Sequence, residues 1–415
     1  MIFFDGPARR SVQASAVFRG VVVVSALLAV SLMLNACGGS GSSSDKVELI
    51  EAFNVVGQGS FAASSPNRGG SVAADTLSQP LGNVATDGTM LFVADTSNNR
   101  VLGYSSVPAD LGTAADLVFG QASMQTNTAG TGRDHMAFPG AVFIGGGYMV
   151  VADSGNNRVL IWNAVPTASN TPPDVVVGQD DFDTSNSATT ATRLAYPVAA
   201  IVANGRLVVA DQNNNRVLIW SAVPTSNGTA ADLVLGQPDF TSYGNDDEAD
   251  EMNRPAGLWS DGFRLLVSDT GNNRVLYWAL FPQSIARKAD YVIGQSAFSR
   301  STAGTSASTL RTPFGISSDG TSIFVADSGN NRVVEFDSFP IENGTQASAV
   351  YGQAYDNFST NTANDDDQDS SADDSPSART LSGPSGVYVH NGVLYVSDRS
   401  NNRLMMFPVC DCADD

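Results

Sequence analysis

The chain has 415 residues, 42% of them hydrophobic, which is enough for a sizeable core and for one large domain or two to three ordinary ones. Its formal net charge is −20, with lysine only at 46 and 288 and arginine supplying nearly all of the positive charge. That balance excludes a phosphate-tracking surface, which needs a clustered basic footprint, so nucleic acid is not an expected partner.

From the N-terminus, Arg9, Arg10 and Arg19 precede an apolar run from Val21 to Leu34. The run is shorter than the ~20 residues of a membrane span and matches a signal-peptide core. It ends in "LNAC" at 34–37, followed by "GGSGSSS". This resembles a bacterial lipobox, with Asn35 departing from the usual small residue two places before the cysteine. The resemblance implies cleavage before Cys37 and lipidation of that cysteine. Residues 1–36 are therefore expected to be a signal peptide and 37–46 a lipidated flexible tether, with the membrane touched through that anchor only. Gly38 stands where inner-membrane lipoproteins usually carry Asp. An exported protein of the outer membrane or cell surface is the expectation.

Three markers then recur in fixed order. Asp-x-x-Asn-Asn-Arg begins at Asp95, Asp153, Asp211, Asp269, Asp327 and Asp398, in four steps of 58 residues and one of 71. Gly-Gln falls at 57, 120, 178, 236, 294 and 352, and Leu/Met-x-x-Pro ends at Pro80, Pro139, Pro197, Pro255, Pro313 and Pro384. Within each unit a short apolar stretch follows the proline. A turn dipeptide comes next, "DG" at 87–88, 261–262 and 319–320, "NG" at 204–205 and 391–392, or "GG" at 146–147. These supply the positive φ that two-residue hairpins demand. Strands of the "LVVAD" type lead into the Asp-to-Arg turn, strands of the "RVLIW" type leave it, and "ADLVLGQ" closes the unit.

Near-continuous apolar strands, four per unit and repeated radially, predict an all-β, six-bladed β-propeller with four antiparallel strands per blade. The first Gly-Gln follows "IEAFNVV" with no proline or Asp turn before it, and the last unit ends at "RLMMF" with no Gly-Gln after it. Residues 47–57 are therefore expected to close the ring by pairing with the last blade. The propeller should span 47–409, leaving 410–415 as an acidic tail in which Cys410 and Cys412 have no assigned role.

The unit "P-x-G…DG…VAD-x-x-NNRV" resembles the NHL repeat over about 75–410. The resemblance implies the six-bladed fold and leaves function open, because NHL propellers include lyases, RNA binders and interaction scaffolds.

The repeated turn residues Asp95, Arg100, Asp153, Arg158, Asp211, Arg216, Asp269, Arg274, Asp327, Arg332, Asp398 and Arg403 are read as structural. The Asp is expected to cap local N–H groups and the Arg to pair with it, since Arg at the sixth position would repel a cation. Function is expected where blades differ, on the long loops beside these turns. Candidates for a ligand face are His135, Arg193, Arg254, Trp259 and Arg311, with Phe138, Tyr196, Tyr243 and Tyr355 as anchors if the ligand is a glycan. His390, in a hairpin turn, is expected to be exposed and passive. "NDDEADE" at 245–251 and "DDDQDSSADD" at 365–374 read as solvated acidic loops. The sharper reading is a calcium or cationic-partner site at Asp246, Asp247, Glu248, Asp365, Asp366 and Asp367. No other cofactor is expected, and no catalytic residue is assigned. The expected role is a monomeric, lipid-anchored scaffold for an envelope protein or polysaccharide. The alternative is a metal-dependent lyase or hydrolase with a site in the central channel.

Overall fold

The computed structural model describes residues 50–353, 358–367 and 369–409, together with Met1. Cys37, the signal segment, Tyr355, Cys410 and Cys412 lie outside the described residues. Among those described, no helix is long and apolar enough to cross a membrane.

Six four-stranded antiparallel sheets follow one another as blades. Blades 1 to 5 are continuous in sequence, with strands running within 85–119, 139–177, 197–235, 255–293 and 313–351. Blade 6 takes its inner three strands from Pro384–His390, Val393–Asp398 and Arg403–Pro408. Its outer strand is Asn54–Val56, paired antiparallel as Asn54 to Met406, Val55 to Met405 and Val56 to Leu404. The expected closure by the N-terminal segment is therefore what the chain does.

The apolar strands are explained by the core. It divides into six clusters, each built mainly by two neighbouring blades, as where Val150 and Ile161 of blade 2 meet Val209 and Trp220 of blade 3. The seam between blades 6 and 1 has the same character, with Leu404, Met406 and Tyr395 against Leu91, Val93 and Leu102. A blade thus has no solvent face along its middle strands, and both alternations must be apolar. At the seam the inner strands come so close that a Cβ on Gly386 would lie 1.7 Å from the Gly82 carbonyl oxygen, so glycine is required there.

The hairpins differ from the expectation in half of the blades. "NG" and "GG" form two-residue turns, as between Ala203 and Arg206 with Asn204 at φ 48° and Gly205 at φ 75°. The "DG" turns are four residues long, between Thr86 and Leu91, Ser260 and Leu265, and Ser318 and Ile323. The aspartate is the reason. Asp87 Oδ1 accepts from the N–H groups of Thr89 and Met90, both at 2.9 Å, and Asp261 and Asp319 do the same in their blades.

Every blade is oriented alike. The Asp-to-Arg turns and the long loops leading to the next blade lie on one face. The hairpins and the loops from third to fourth strand lie toward the other.

Candidate functional site

The six Asp–Arg pairs are fully buried, with both side chains at 0% exposure in each. In blade 3, Asp211 Oδ2 accepts from Arg216 Nε at 2.7 Å and from the first asparagine, Asn214, at 2.8 Å. Its Oδ1 accepts from the Ala195 N–H at 2.7 Å, two residues before the proline. The same three bonds recur in all six blades. The expected local cap is corrected here: the carboxylate reaches back to the start of its blade instead. Burial pushes the carboxyls of Asp95, Asp153, Asp211, Asp269 and Asp327 up, against the downward pull of the paired arginine and the amides. Each guanidinium spends its remaining donors on loop carbonyls. Arg216 bonds Phe240 O at 2.6 Å in the loop ahead, and Thr190 O and Arg193 O at 2.8 and 3.0 Å in the loop behind.

The second asparagine joins the blades. Asn215, left-handed at φ 52°, accepts on Oδ1 from the Arg254 N–H at 2.8 Å in blade 4 and donates to Tyr243 O at 2.9 Å. The equivalent acceptors are Asn99 for Phe138, Asn157 for Tyr196, Asn273 for Thr312 and Asn331 for Gly383. Across the seam Asn402 accepts from Gln79 at 2.8 Å. The donor residue before each proline is also left-handed. The Gly-Gln marker completes the joint, as Gln237 donates to Asn215 O at 2.9 Å and Gln58 to Asn402 O at 3.0 Å. Most polar groups of the turns are thus engaged within the ring, while Asn330 Oδ1 and the Oε1 atoms of Gln58, Gln179 and Gln353 are buried without a partner.

The proposed ligand-face residues separate. His135 is partly exposed, with Nδ1 2.9 Å from Asp134 Oδ1, and its carbonyl accepts from Arg158. Arg193 makes a two-pronged pair with Asp180 in the same loop. Arg254 and Arg311 are exposed, and the Arg311 N–H binds Asp327. These four stand on four successive blades. Trp259 does not join them. It lies at the far end of its strand, where its Nε1 donates to Ser318 O at 2.9 Å and its ring packs 5.4 Å from Phe339. Of the aromatic anchors, Phe138 and Tyr243 are exposed on the Asp-turn face, whereas Tyr196 packs against the core between blades 3 and 4. His390 is only half exposed: its ring stacks near Tyr388 and its Nε2 is buried beside Gly88.

The acidic loops behave differently from each other. Asp246, Asp247 and Glu248 engage the fold through their carbonyls, which accept from Asn272 and Arg274. Among the described residues the carboxylates that converge are Asp365, Asp367 and Asp369, with ligand oxygens within 4.8 Å of one another. Asp366 turns away to Arg379 and Ser377, both at 2.9 Å. The alternate spacing of the converging three was the signal that a reading of consecutive residues missed.

The six inner strands enclose an axial cavity of about 170 Å³. Phe143, Ile201, Leu258, Trp259, Phe314 and Ile316 are among its walls, and Asn83, Ser260, Ser317, Ser318 and Tyr388 supply its polar side chains. The Asn83 amide is engaged with Ile316 O and the Val387 N–H. Among the described residues that line the cavity, none carries a carboxylate, imidazole, thiol or cationic side chain.

No family model matches the chain, and no curated protein does either. Solved structures align over most of it at low identity. A streptogramin B lyase is 11% identical, covering 84% of this chain and 95% of its own, with a TM-score of 0.44. A PQQ-bound aldose sugar dehydrogenase from Streptomyces coelicolor is 14% identical, covering 82% and 96%, with a TM-score of 0.44. A nidogen/laminin complex chain is 16% identical, covering 71% and 95%, with a TM-score of 0.40. The six-bladed propeller of this chain is established by its own strand pairing.

Proposed function

We propose that this chain is an exported, lipid-anchored propeller of the NHL-repeat type that serves as a binding scaffold, holding an envelope protein or polysaccharide on its Asp-turn face. One observation carries the reading. The repeated Asp, Asn and Arg side chains bond within the ring and the axial cavity is lined mainly by apolar residues, so polar chemistry that differs from blade to blade is left to the loops overhanging that face. Arg254, Arg311, Phe138 and Tyr243 are exposed there. The lipobox-like "LNAC" and the repeat unit supply the anchor and family parts of the proposal. A photo-crosslinking residue in place of Tyr243, irradiated in intact cells, is expected to yield a discrete adduct with an envelope component. The same group in place of exposed Leu111 should not. Equal adducts from both positions, or none from Tyr243, overturn the reading.

The convergence of Asp365, Asp367 and Asp369 favours a second, compatible reading, a calcium-ordered loop. Calorimetric titration is expected to show one millimolar or tighter site that Asp367→Asn weakens at least tenfold; weaker binding in the parent chain removes this reading.

A further inference from the structure

The face opposite the Asp turns carries apolar side chains where the repeat does not call for them. At the position held by Ser106, Ala164, Ala222 and Ser338, blade 4 has Leu280, 75% exposed. Where the other four-residue hairpins have Thr89 and Thr321, blade 4 has Phe263, 73% exposed. The Phe281 N–H bonds the Phe263 carbonyl, which ties together the two segments that carry these side chains. At the position of Ala109, Thr167, Thr225 and Gln283, blade 5 has Ile341, 85% exposed. Phe53 on blade 6 is exposed on the same side. Scattered exposed apolar residues need no explanation, but a set grouped on adjoining blades does.

Two further observations identify what covers this set. The first is where the chain enters. Asn54 pairs near the end of the last strand of blade 6, so Ile50–Phe53 approach from the side of the hairpins. Cys37 lies thirteen residues before Ile50, behind a Gly/Ser stretch. Thirteen residues reach at most about 45 Å in any conformation. The second is the surround. Beside Phe263 and Leu280 stand Arg264, paired to Asp261 at 2.8 Å and lying 3.7 Å over the Phe339 ring, and Arg206, 4.9 Å over the Phe281 ring; Asp319, Asp337 and Glu342 are exposed on the same side. Exposed apolar side chains among amphipathic polar ones suit the interfacial layer of a bilayer.

We infer that the hairpin face of blades 4 to 6, centred on Phe263, Leu280 and Ile341, rests on the lipid surface that holds the anchor and turns the Asp-turn face outward. This rests on acylation of Cys37. The processed protein, isolated from membranes, is reconstituted in phosphatidylethanolamine/phosphatidylglycerol vesicles doped with a phospholipid bearing a diazirine on its acyl chain. After irradiation, label is expected in peptides containing Phe263, Leu280 and Ile341 at least tenfold above those containing Phe138 and Tyr243. The double variant Phe263→Ser/Leu280→Ser, at exposed positions, is expected to melt like the parent and lose the label at Ile341 at least fivefold. Acylated Cys37 with label spread evenly over both faces, or an Ile341 label unmoved in the variant, overturns the orientation alone. An unmodified Cys37 in the mass spectrum overturns the anchor and the orientation together.

Discussion

On one face of the molecule the same two residue types do opposite things. Asp211 and Arg216 are at 0% exposure, with their donors and acceptors matched by the ring. Asp180 and Arg193, in the loop above, form a pair with 70% and 23% of their side chains exposed. Removing one partner of a buried pair strands a charge in the interior, whereas an exposed pair is solvated with or without its partner. Repetition marks the first kind and blade-to-blade difference marks the second, which separates what holds the propeller together from what it presents.

The largest effect should come from opening the ring. Deleting residues 50–57 removes the fourth strand of blade 6 and exposes the edge at Arg403–Pro408, an invitation to aggregate. No cooperative melting transition is expected. Replacing 365–374 by a Gly/Ser segment of equal length should keep one, and equal outcomes for the two would break the contrast between ring and loop. Next comes Arg216→Ala, expected to cost about 3–5 kcal/mol in denaturant melts. Arg193→Ala should cost at most about 1 kcal/mol by the same measurement.

Glu335 offers a smaller, intermediate case. It occupies a buried position on the third strand of blade 5 that other blades fill with Ile161, Ile219, Tyr277 or Met406, and it accepts from the Tyr351 hydroxyl at 3.0 Å. Burial pushes its carboxyl up from 4.5 to about 7. The folded chain therefore keeps a proton that the unfolded chain has released between those values. Its contribution to stability is full below the unfolded value, falls as pH rises through the window, and is level above about 7. Glu335→Gln should remove that slope and gain on the order of 3 kcal/mol relative to the parent at pH 8. Parallel stability profiles for the two chains would show that Glu335 behaves as a surface carboxylate.

Much of this was legible in the sequence. The blade count, the strand order and the closing segment around Asn54–Val56 follow from the spacing of the repeat markers. The inter-blade joint was not legible, for a definite reason. Its asparagine repeats, but its partner is a backbone N–H whose residue varies freely among Gln79, Phe138, Tyr196, Arg254, Thr312 and Gly383, so no side-chain pattern announces it. Trp259 was misplaced for a related reason. An inner strand begins on one face and ends on the other, and proximity in sequence to Pro255 did not fix which end the indole occupies. The paired Asp–Gly dipeptides misled because aspartate's own oxygen sets a wider loop than glycine's φ would.

The strand that locks the ring also sets a clock. Val55 is among the first residues of the propeller to be synthesised, and its partner Met405 is among the last. At about 5–20 residues per second, their separation corresponds to on the order of 20 to 70 s during which the first strand has no mate. Until then the first blade and the newest one each keep a bare flank. The contact that closes the ring forms last, and a bystander able to occupy that interval, whether a chaperone or a second nascent copy, decides whether the circle closes on itself.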